Sequence, residues 1–230
     1  LYLALNLGSL SIPFLFSFHP KLQFYKKWRS LFPAMIITMM VFIPWDVLFT
    51  NNGIWGFNEA YFYDYSFLGL PLEEWLFFIC IPYACVFTHY ALQYYFKETR
   101  LSPKSANIVS LILIFILSLT LVFNYDKWYP LVNFSLAIVL LFIITQTNHE
   151  LLRRYYFTFL IMLIPFFIVN GILTGTGIES EVVWYNNDEN LNLRLATIPI
   201  EDSIYAFSMI LMNIALVEYF ENNLFRKKHV

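Results

Sequence analysis

The chain has 230 residues, of which 59 % are hydrophobic and 13 % charged, and its formal net charge is −2. A soluble domain carries about 25 % charged residues, so this composition predicts an integral membrane protein rather than a soluble domain. The absence of a long basic block also argues against a nucleic-acid partner.

Seven apolar segments follow along the chain, most of them within the roughly 17–25 residues that a membrane-spanning helix needs. We predict helices at 1–18, 31–50, 71–95, 106–124, 130–146, 155–174 and 198–220. The first segment lacks the basic start and the small-residue cleavage site of a signal peptide, so we expect it to remain as a helix in the membrane. The predicted fold class is therefore all-α, with seven transmembrane helices.

The basic residues are distributed unequally between the loops. Most lie after helices 1, 3 and 5 and in the C-terminal tail: Lys21, Lys26, Lys27, Arg29, Lys97, Arg100, Lys104, Arg153, Arg154, Arg226, Lys227 and Lys228. The other loops hold only Lys127 and Arg194. Because cytoplasmic loops collect Lys and Arg, we predict that the N-terminus is outside and the C-terminus is cytoplasmic.

An internal repeat divides the chain. PLEEWLFF at 71–78 matches PIEDSIYA at 199–206, and FTNNGI at 49–54 matches LTGTGI at 173–178. These offsets of 128 and 124 residues pair helices 1, 2 and 3 with helices 5, 6 and 7. Helix 4 has no counterpart, and as a linker it would make the two units parallel. We predict a first three-helix repeat at 1–100, a linker with helix 4 at 101–128, and a second three-helix repeat at 129–230.

Each repeat carries two adjacent acids, Glu73 with Glu74 and Glu201 with Asp202. A proline followed by acids is also an ordinary helix start, and for one copy that explanation would be sufficient. Two copies at equivalent depth in a chain so poor in charge favour a functional site. Adjacent residues diverge by about 100° on a helix, so only one acid of each pair can point fully at a shared interior. Neighbouring carboxyl groups there would supply a proton donor beside an acceptor.

Weaker candidates surround the four acids. Trp75 follows the first pair and could stabilise a carbocation by cation–π attraction, although an interfacial aromatic belt explains most of the rings. Under the 124-residue offset, Asp46 falls opposite Asn170. The candidates for contacts with a substrate or cation are Trp75, Trp55, Asp46, Asn58, Asn170 and Tyr205.

Several cofactor classes lack their sequence signals. The seven glycines form neither a G-x-G-x-x-G motif nor a phosphate-binding loop, so flavin, nicotinamide and nucleotide sites are not indicated. The four histidines lack metal-ligand spacing, and helix 7 has no lysine for a retinal Schiff base. We expect neither a cofactor nor a metal.

Three stretches carry a resemblance to a known family. PWDVLFTNNGIWGFN at 44–58, GLPLEEWLFFICIPYACVF at 69–87 and PIEDS at 199–203 resemble the membrane-integral lycopene cyclases. That family occurs as two three-helix subunits in some bacteria and as one fused chain in others, with a P-x-E-[E/D] motif in each half. The resemblance covers both repeats but not helix 4.

The resemblance implies a lycopene β-cyclase, an isomerase of carotenoid biosynthesis that works without a cofactor. A carboxylic acid would protonate the terminal double bond, the neighbouring alkene would attack the cation, and proton loss would leave the ring. By motif, Glu73, Glu74, Glu201 and Asp202 are the catalytic candidates, with Asp46, Trp55 and Asn58 in the upstream block. The expected partners are lycopene or a related linear carotenoid and the lipid bilayer, most simply the bacterial cytoplasmic membrane.

Two other classes stay open. A proton-coupled transporter would also place repeated acids in a parallel-repeat bundle, with Pro82 and Pro165 as the candidates for helix breaks. A structural protein would tolerate amides at all four acids. A homo-oligomer and an association with other carotenoid enzymes are both compatible with the sequence.

Overall fold

A computed structural model describes residues 1–224 and shows an all-α chain. Its seven α-helices are α1 (Tyr2–Phe16), α2 (Trp28–Asn51), α3 (Leu72–Tyr95), α4 (Pro103–Phe123), α5 (Trp128–Thr147), α6 (His149–Leu173) and α7 (Ile200–Asn223). Six are long and apolar enough to cross a membrane, so the chain is an integral membrane protein. The predicted count of helices is confirmed. The 15 residues of α1 extend only about 22 Å, less than the hydrocarbon thickness of about 30 Å, so seven full spans are not supported.

Polar caps set helix boundaries that hydropathy alone does not reveal. The side chain of Asn148 accepts the N–H of Leu151 at 3.2 Å, and α6 therefore begins at His149 rather than at the predicted residue 155. In the same way, Ser102 accepts the N–H of Ser105 at 3.0 Å and starts α4. Both are side-chain caps that satisfy free donors of a first turn.

The helices pack in a pattern that leaves one crevice open. α1 lies along α3, α5 lies along α7, and α4 packs against α5 and α6. α2 contacts α7 over much of its length, whereas α6 contacts α3 less extensively. The looser packing between α3 and α6 leaves space for a cavity.

The loops after α2 and α6 contain short antiparallel strands, which the sequence analysis did not predict. The three pairs are β1 (Trp55–Phe57) with β4 (Val183–Tyr185), β2 (Ser66–Phe67) with β3 (Leu70–Pro71), and β5 (Arg194–Leu195) with β6 (Ile198–Pro199). We call this end of the bundle the strand end. Because β3 and β6 end on the prolines before α3 and α7, both acid pairs lie at the strand end.

Basic residues lie at the opposite end of the bundle. Among residues 1–224, three ion pairs there join separate segments: Lys27 with Glu221 at 2.7 Å, Arg100 with Glu150 at 2.8 Å, and Arg154 with Glu218 at 3.3 Å. Arg226, Lys227 and Lys228, which contribute to the predicted orientation, lie outside the described residues. The described loops keep the concentration of basic residues at this end that the sequence shows.

Candidate active site

A cavity of about 260 Å³ lies between α3, α6 and α7 and reaches the strand end. Asp46, Glu74 and Asp202 are the acids in its wall, and most of the remaining wall is apolar or aromatic. Along α3 the wall extends from Glu74 to Thr88, a distance of about 21 Å at 1.5 Å per residue. This shape suits a long apolar molecule whose reacting end lies beside the carboxyl groups.

The first acid of each pair holds a loop. Glu73 Oε1 accepts the main-chain N–H of Tyr63 at 2.9 Å, and Glu201 Oε1 accepts that of Leu191 at 2.6 Å. Each donor lies ten residues upstream in the preceding loop. Glu73 and Glu201 are buried but do not line the cavity. Their carboxylates therefore fasten the loops of the strand end to α3 and α7.

The second acid of the first pair faces another carboxyl group. The carboxyl groups of Glu74 and Asp46 lie within hydrogen-bonding reach of each other. Tyr2 donates its hydroxyl to Glu74 Oε2, and the indole N–H of Trp55 donates to Asp46 Oδ1 at 2.6 Å. No donor from residues 1–224 reaches Asp46 Oδ2. This half of the site thus has more acceptor oxygens than donors.

Both carboxyl oxygens of Asp202, the second acid of the other pair, accept hydrogen bonds. The hydroxyl of Tyr129 donates to Oδ1 at 2.6 Å. The hydroxyl of Tyr185 and the amide of Asn170 donate to Oδ2 at 2.9 and 2.7 Å. Three donors to one buried carboxyl group stabilise its ionised form.

The strand pair β1–β4 covers the acidic end of the cavity. Trp55 and Tyr185 are partners across this pair, and both side chains line the cavity. Burial and the adjacent charge of Asp202 raise the pKa of Tyr185 well above the ordinary tyrosine value. Tyr185 therefore keeps its proton at neutral pH and acts as a hydrogen-bond donor.

The contacts around the two acid pairs recur along the chain. Tyr129 donates to Asp202, and Tyr2, which lies 127 positions before Tyr129, donates to Glu74. The amides of Asn6 and Asn133, also 127 positions apart, each donate at 2.7 Å to the carbonyl of the first acid of a pair. The two helix starts are thus held by the same types of donor.

The structure brings some of the weaker candidates together and leaves others apart. Asp46, Trp55, Asn170 and Tyr205 all line the cavity.

Trp75 and Asn58 do not line the cavity. The indole of Trp75 donates to the carbonyl of Phe67 at 3.2 Å, and the amide of Asn58 donates to Ser180 Oγ at 3.0 Å. Both side chains stabilise loops at the strand end, so neither is placed to contact a ligand in the cavity.

Tyr2 and Tyr129, the hydroxyl donors to the two acids, were not identified from the sequence. Tyr2 lies in the first turn of α1 and Tyr129 in the first turn of α5, far from the acids along the chain. One signal was present: the spacing Tyr-x-x-x-Asn occurs at 2–6 and again at 129–133. This spacing places both side chains on one helix face.

The arrangement is suited to moving protons on an apolar molecule. A carboxyl pair and a hydrogen-bonded carboxylate line the same cavity, and aromatic rings separate them from solvent. Such a site can give a proton to a hydrocarbon and take one from it without exposing a cation to water.

A family model described as Lycopene cyclase matches residues 1–92 and 126–220. Comparisons with curated proteins and with solved structures found no match. The matched ranges contain all the residues that line the cavity, and the unmatched segment contains α4. The resemblance seen in the motifs is thereby confirmed. Since the match covers most of the chain, the protein belongs to the lycopene cyclase family, whose members are carotenoid cyclases.

Proposed function

We propose that the protein is a lycopene β-cyclase that closes the ends of linear lycopene into β-rings, giving β-carotene by way of γ-carotene. The observation that carries the proposal is the meeting of Asp46, Glu74 and Asp202 at one end of an apolar cavity. A polyene offers no polar group for activation, so its cyclisation depends on direct proton transfer. Neither redox state nor atom count changes, so the reaction itself needs no cofactor.

In the proposed reaction, a carboxyl group protonates the terminal double bond and leaves a tertiary cation. The neighbouring double bond attacks this cation and closes the ring, and a carboxylate removes a ring proton. Trp55, Phe77 and Tyr205 line the cavity and can stabilise positive charge through their ring faces. The aromatic wall also excludes water, which would otherwise capture the cation.

Of the four acids predicted from the motifs, we assign the chemistry to Glu74 and Asp202. Both line the cavity, whereas the carboxylates of Glu73 and Glu201 hold main-chain N–H groups of the loops. The proposal therefore gives Glu73 and Glu201 a positioning role.

The size of the cavity fits one end of the substrate. Pockets that enclose a whole drug-sized ligand have volumes of about 300–1,000 Å³, and this cavity has about 260 Å³. We propose that one end of the C40 chain reacts beside the acids while the rest extends along α3 and α6 toward the lipid.

We also propose that the fold consists of two parallel three-helix repeats, 1–100 and 129–230, joined by a linker at 101–128, with the N-terminus outside. The recurring contacts 127 positions apart support the repeat. So does the antiparallel pairing of β1 with β4, in which Gly56 lies opposite Trp184, 128 positions later. The basic residues at the far end of the bundle support the orientation.

A proton-coupled transporter fits the structure less well. Transporters of this kind bind their ions where helices are interrupted near the middle of the membrane. Here α3 and α6 continue through Pro82 and Pro165 as single helices. The continuous helices favour the cyclase.

Expression in cells that accumulate lycopene tests the proposal. Chromatography of the pigments should show γ-carotene and β-carotene, and in heavy water each new ring should take up one deuterium from the solvent. A Glu74→Gln variant present in equal amount should leave lycopene linear. Unchanged lycopene in cells that hold the folded wild-type protein would refute the cyclase assignment.

A further inference from the structure

The two halves of the site differ in one group beside the reacting acid. Asp46 neighbours Glu74, whereas Asn170, 124 positions later, neighbours Asp202. A carboxyl group in one half thus corresponds to an amide in the other. An amide N–H can only donate to the acid, whereas a carboxyl group can share a proton with it.

The first half requires a proton between its acids. Asp46 and Glu74 lie within hydrogen-bonding reach and are both buried. Two bare carboxylates would repel each other in a low-dielectric site, and neither could donate to the other. Tyr2 and Trp55 supply one donor each, but neither bridges the pair. The contact is therefore explained by one acidic proton held between Asp46 and Glu74.

The second half is built for a negative charge. Both oxygens of Asp202 accept hydrogen bonds from Tyr129, Tyr185 and Asn170. An ionised carboxylate has no proton to donate and accepts all three. Protonation of Asp202 in the resting site would weaken these bonds, so the geometry favours the carboxylate as the resting form.

We infer that the Asp46–Glu74 pair donates the proton that starts cyclisation and that Asp202 accepts the proton that ends it. This inference rests on the proposed cyclase function. The terminal double bond supplies the electron pair for the new C–H bond, and the O–H bond of the carboxyl pair breaks. The next double bond then forms the ring C–C bond. Finally, a ring C–H bond breaks, its electrons form the ring double bond, and Asp202 takes the proton.

One turnover leaves the carboxyl pair without its proton and Asp202 with an extra one. A proton must return across the cavity before the next turnover.

The test compares Asp46→Asn, Glu74→Gln and Asp202→Asn on lycopene and on lycopene 1,2-epoxide. The epoxide oxygen is more basic than a double bond, and opening its C–O bond gives a tertiary cation at the same carbon, with the oxygen kept as a hydroxyl on the neighbouring carbon. The readouts are the initial rate, the position of the ring double bond, and the amount of folded protein by gel filtration and thermal unfolding. Glu59→Gln, an exposed acid at the strand end, is the matched control.

Loss of the donor should lower the rate of lycopene cyclisation by about 10²–10⁴-fold and leave the β position of the ring double bond unchanged. The rate of epoxide cyclisation should fall much less. Loss of Asp202 should slow both substrates and divert the cation to isomers with a different double bond, or to an alcohol formed with water. If Asp202→Asn does not fold, Tyr129→Phe removes one donor from Asp202 and should cause a smaller shift of the same kind.

Two results would overturn the assignment of roles. In the first, the Asp202→Asn variant still forms the β-ring, and its rate on the epoxide is close to that of the wild type. Both observations would be expected if Asp202 were the donor. In the second, a folded Asp46→Asn or Glu74→Gln variant forms a ring whose double bond lies at a different position. A wild-type protein that forms no ring from either substrate would instead refute the cyclase function itself, so the two failures are distinguishable.

Discussion

The adjacent acids Glu73 and Glu74 should respond very differently to the same change. Glu74 lines the cavity, whereas Glu73 accepts the N–H of Tyr63 at 2.9 Å and lies outside the cavity. We expect Glu74→Gln to abolish most of the cyclisation and Glu73→Gln to affect mainly stability. The two variants make the same carboxyl-to-amide change one residue apart, so each serves as the control for the other.

The hydrogen bonds set the size of each effect. A glutamine at 73 keeps a carbonyl oxygen for the N–H of Tyr63, but it loses the charge. Hydrogen bonds to charged groups contribute about 1.5–3 kcal/mol and neutral ones about 0.5–1.5 kcal/mol, so the loss is about 1 kcal/mol. For a chain of this size, that lowers the melting temperature by about 2–4 °C. A glutamine at 74 has no acidic proton, and loss of general acid catalysis costs about 10²–10⁴-fold in rate.

Both variants can be measured by the same assays. Purified protein in detergent gives the melting temperature, and the rate of lycopene loss per folded molecule gives the activity. The expected pattern is a small thermal shift with nearly full activity for Glu73→Gln, and a folded but inactive Glu74→Gln. Equal loss of activity in two equally folded variants would refute the claim that only the second acid of the pair faces the substrate.

Three further substitutions test other parts of the structure. Ala84→Trp should fill part of the cavity wall and raise the KM for lycopene, while Ile79→Trp on the exposed face of α3 should not; rates over a range of lycopene concentrations distinguish them. Gly56→Val should destabilise the protein by about 1–3 kcal/mol, because a Cβ there would lie 2.6 Å from Trp184 Cε2; thermal unfolding measures the loss. Asn133→Ala removes the side-chain donor to the Glu201 carbonyl in the first turn of α7, a carbonyl that still accepts within the helix, and should cost about 0.5–1.5 kcal/mol in a denaturant titration.

The helices were predictable because membrane spans depend on composition and length, which can be read locally. The starts of α3 and α7 were also predictable, since proline and acids favour a first helical turn. The short strands were not, because two or three residues with main-chain pairing leave little pattern in a sequence. The length of α1 was overestimated for a related reason: its apolar run continues to Phe18, whereas the helix ends at Phe16.

Within the site, the acids could be predicted and their partners could not. Glu74 and Tyr2 are 72 residues apart, and Asp202 and Tyr129 are 73 apart, so only the folded chain shows that they meet. Trp75 illustrates the opposite difficulty. It is adjacent to the acids in sequence, but one helical step of about 100° turns it away from the cavity.

The pairing of β1 with β4 has a consequence for how the two halves could diverge. Its hydrogen bonds join main-chain atoms, so side chains elsewhere in each half can change without removing them. Each half can therefore acquire its own substitutions while the main-chain pairing keeps the two halves in the same relative position. The carboxyl group of Asp46 and the amide of Asn170 could thus arise by single substitutions in a symmetric ancestor, giving each half its own chemistry on a shared frame.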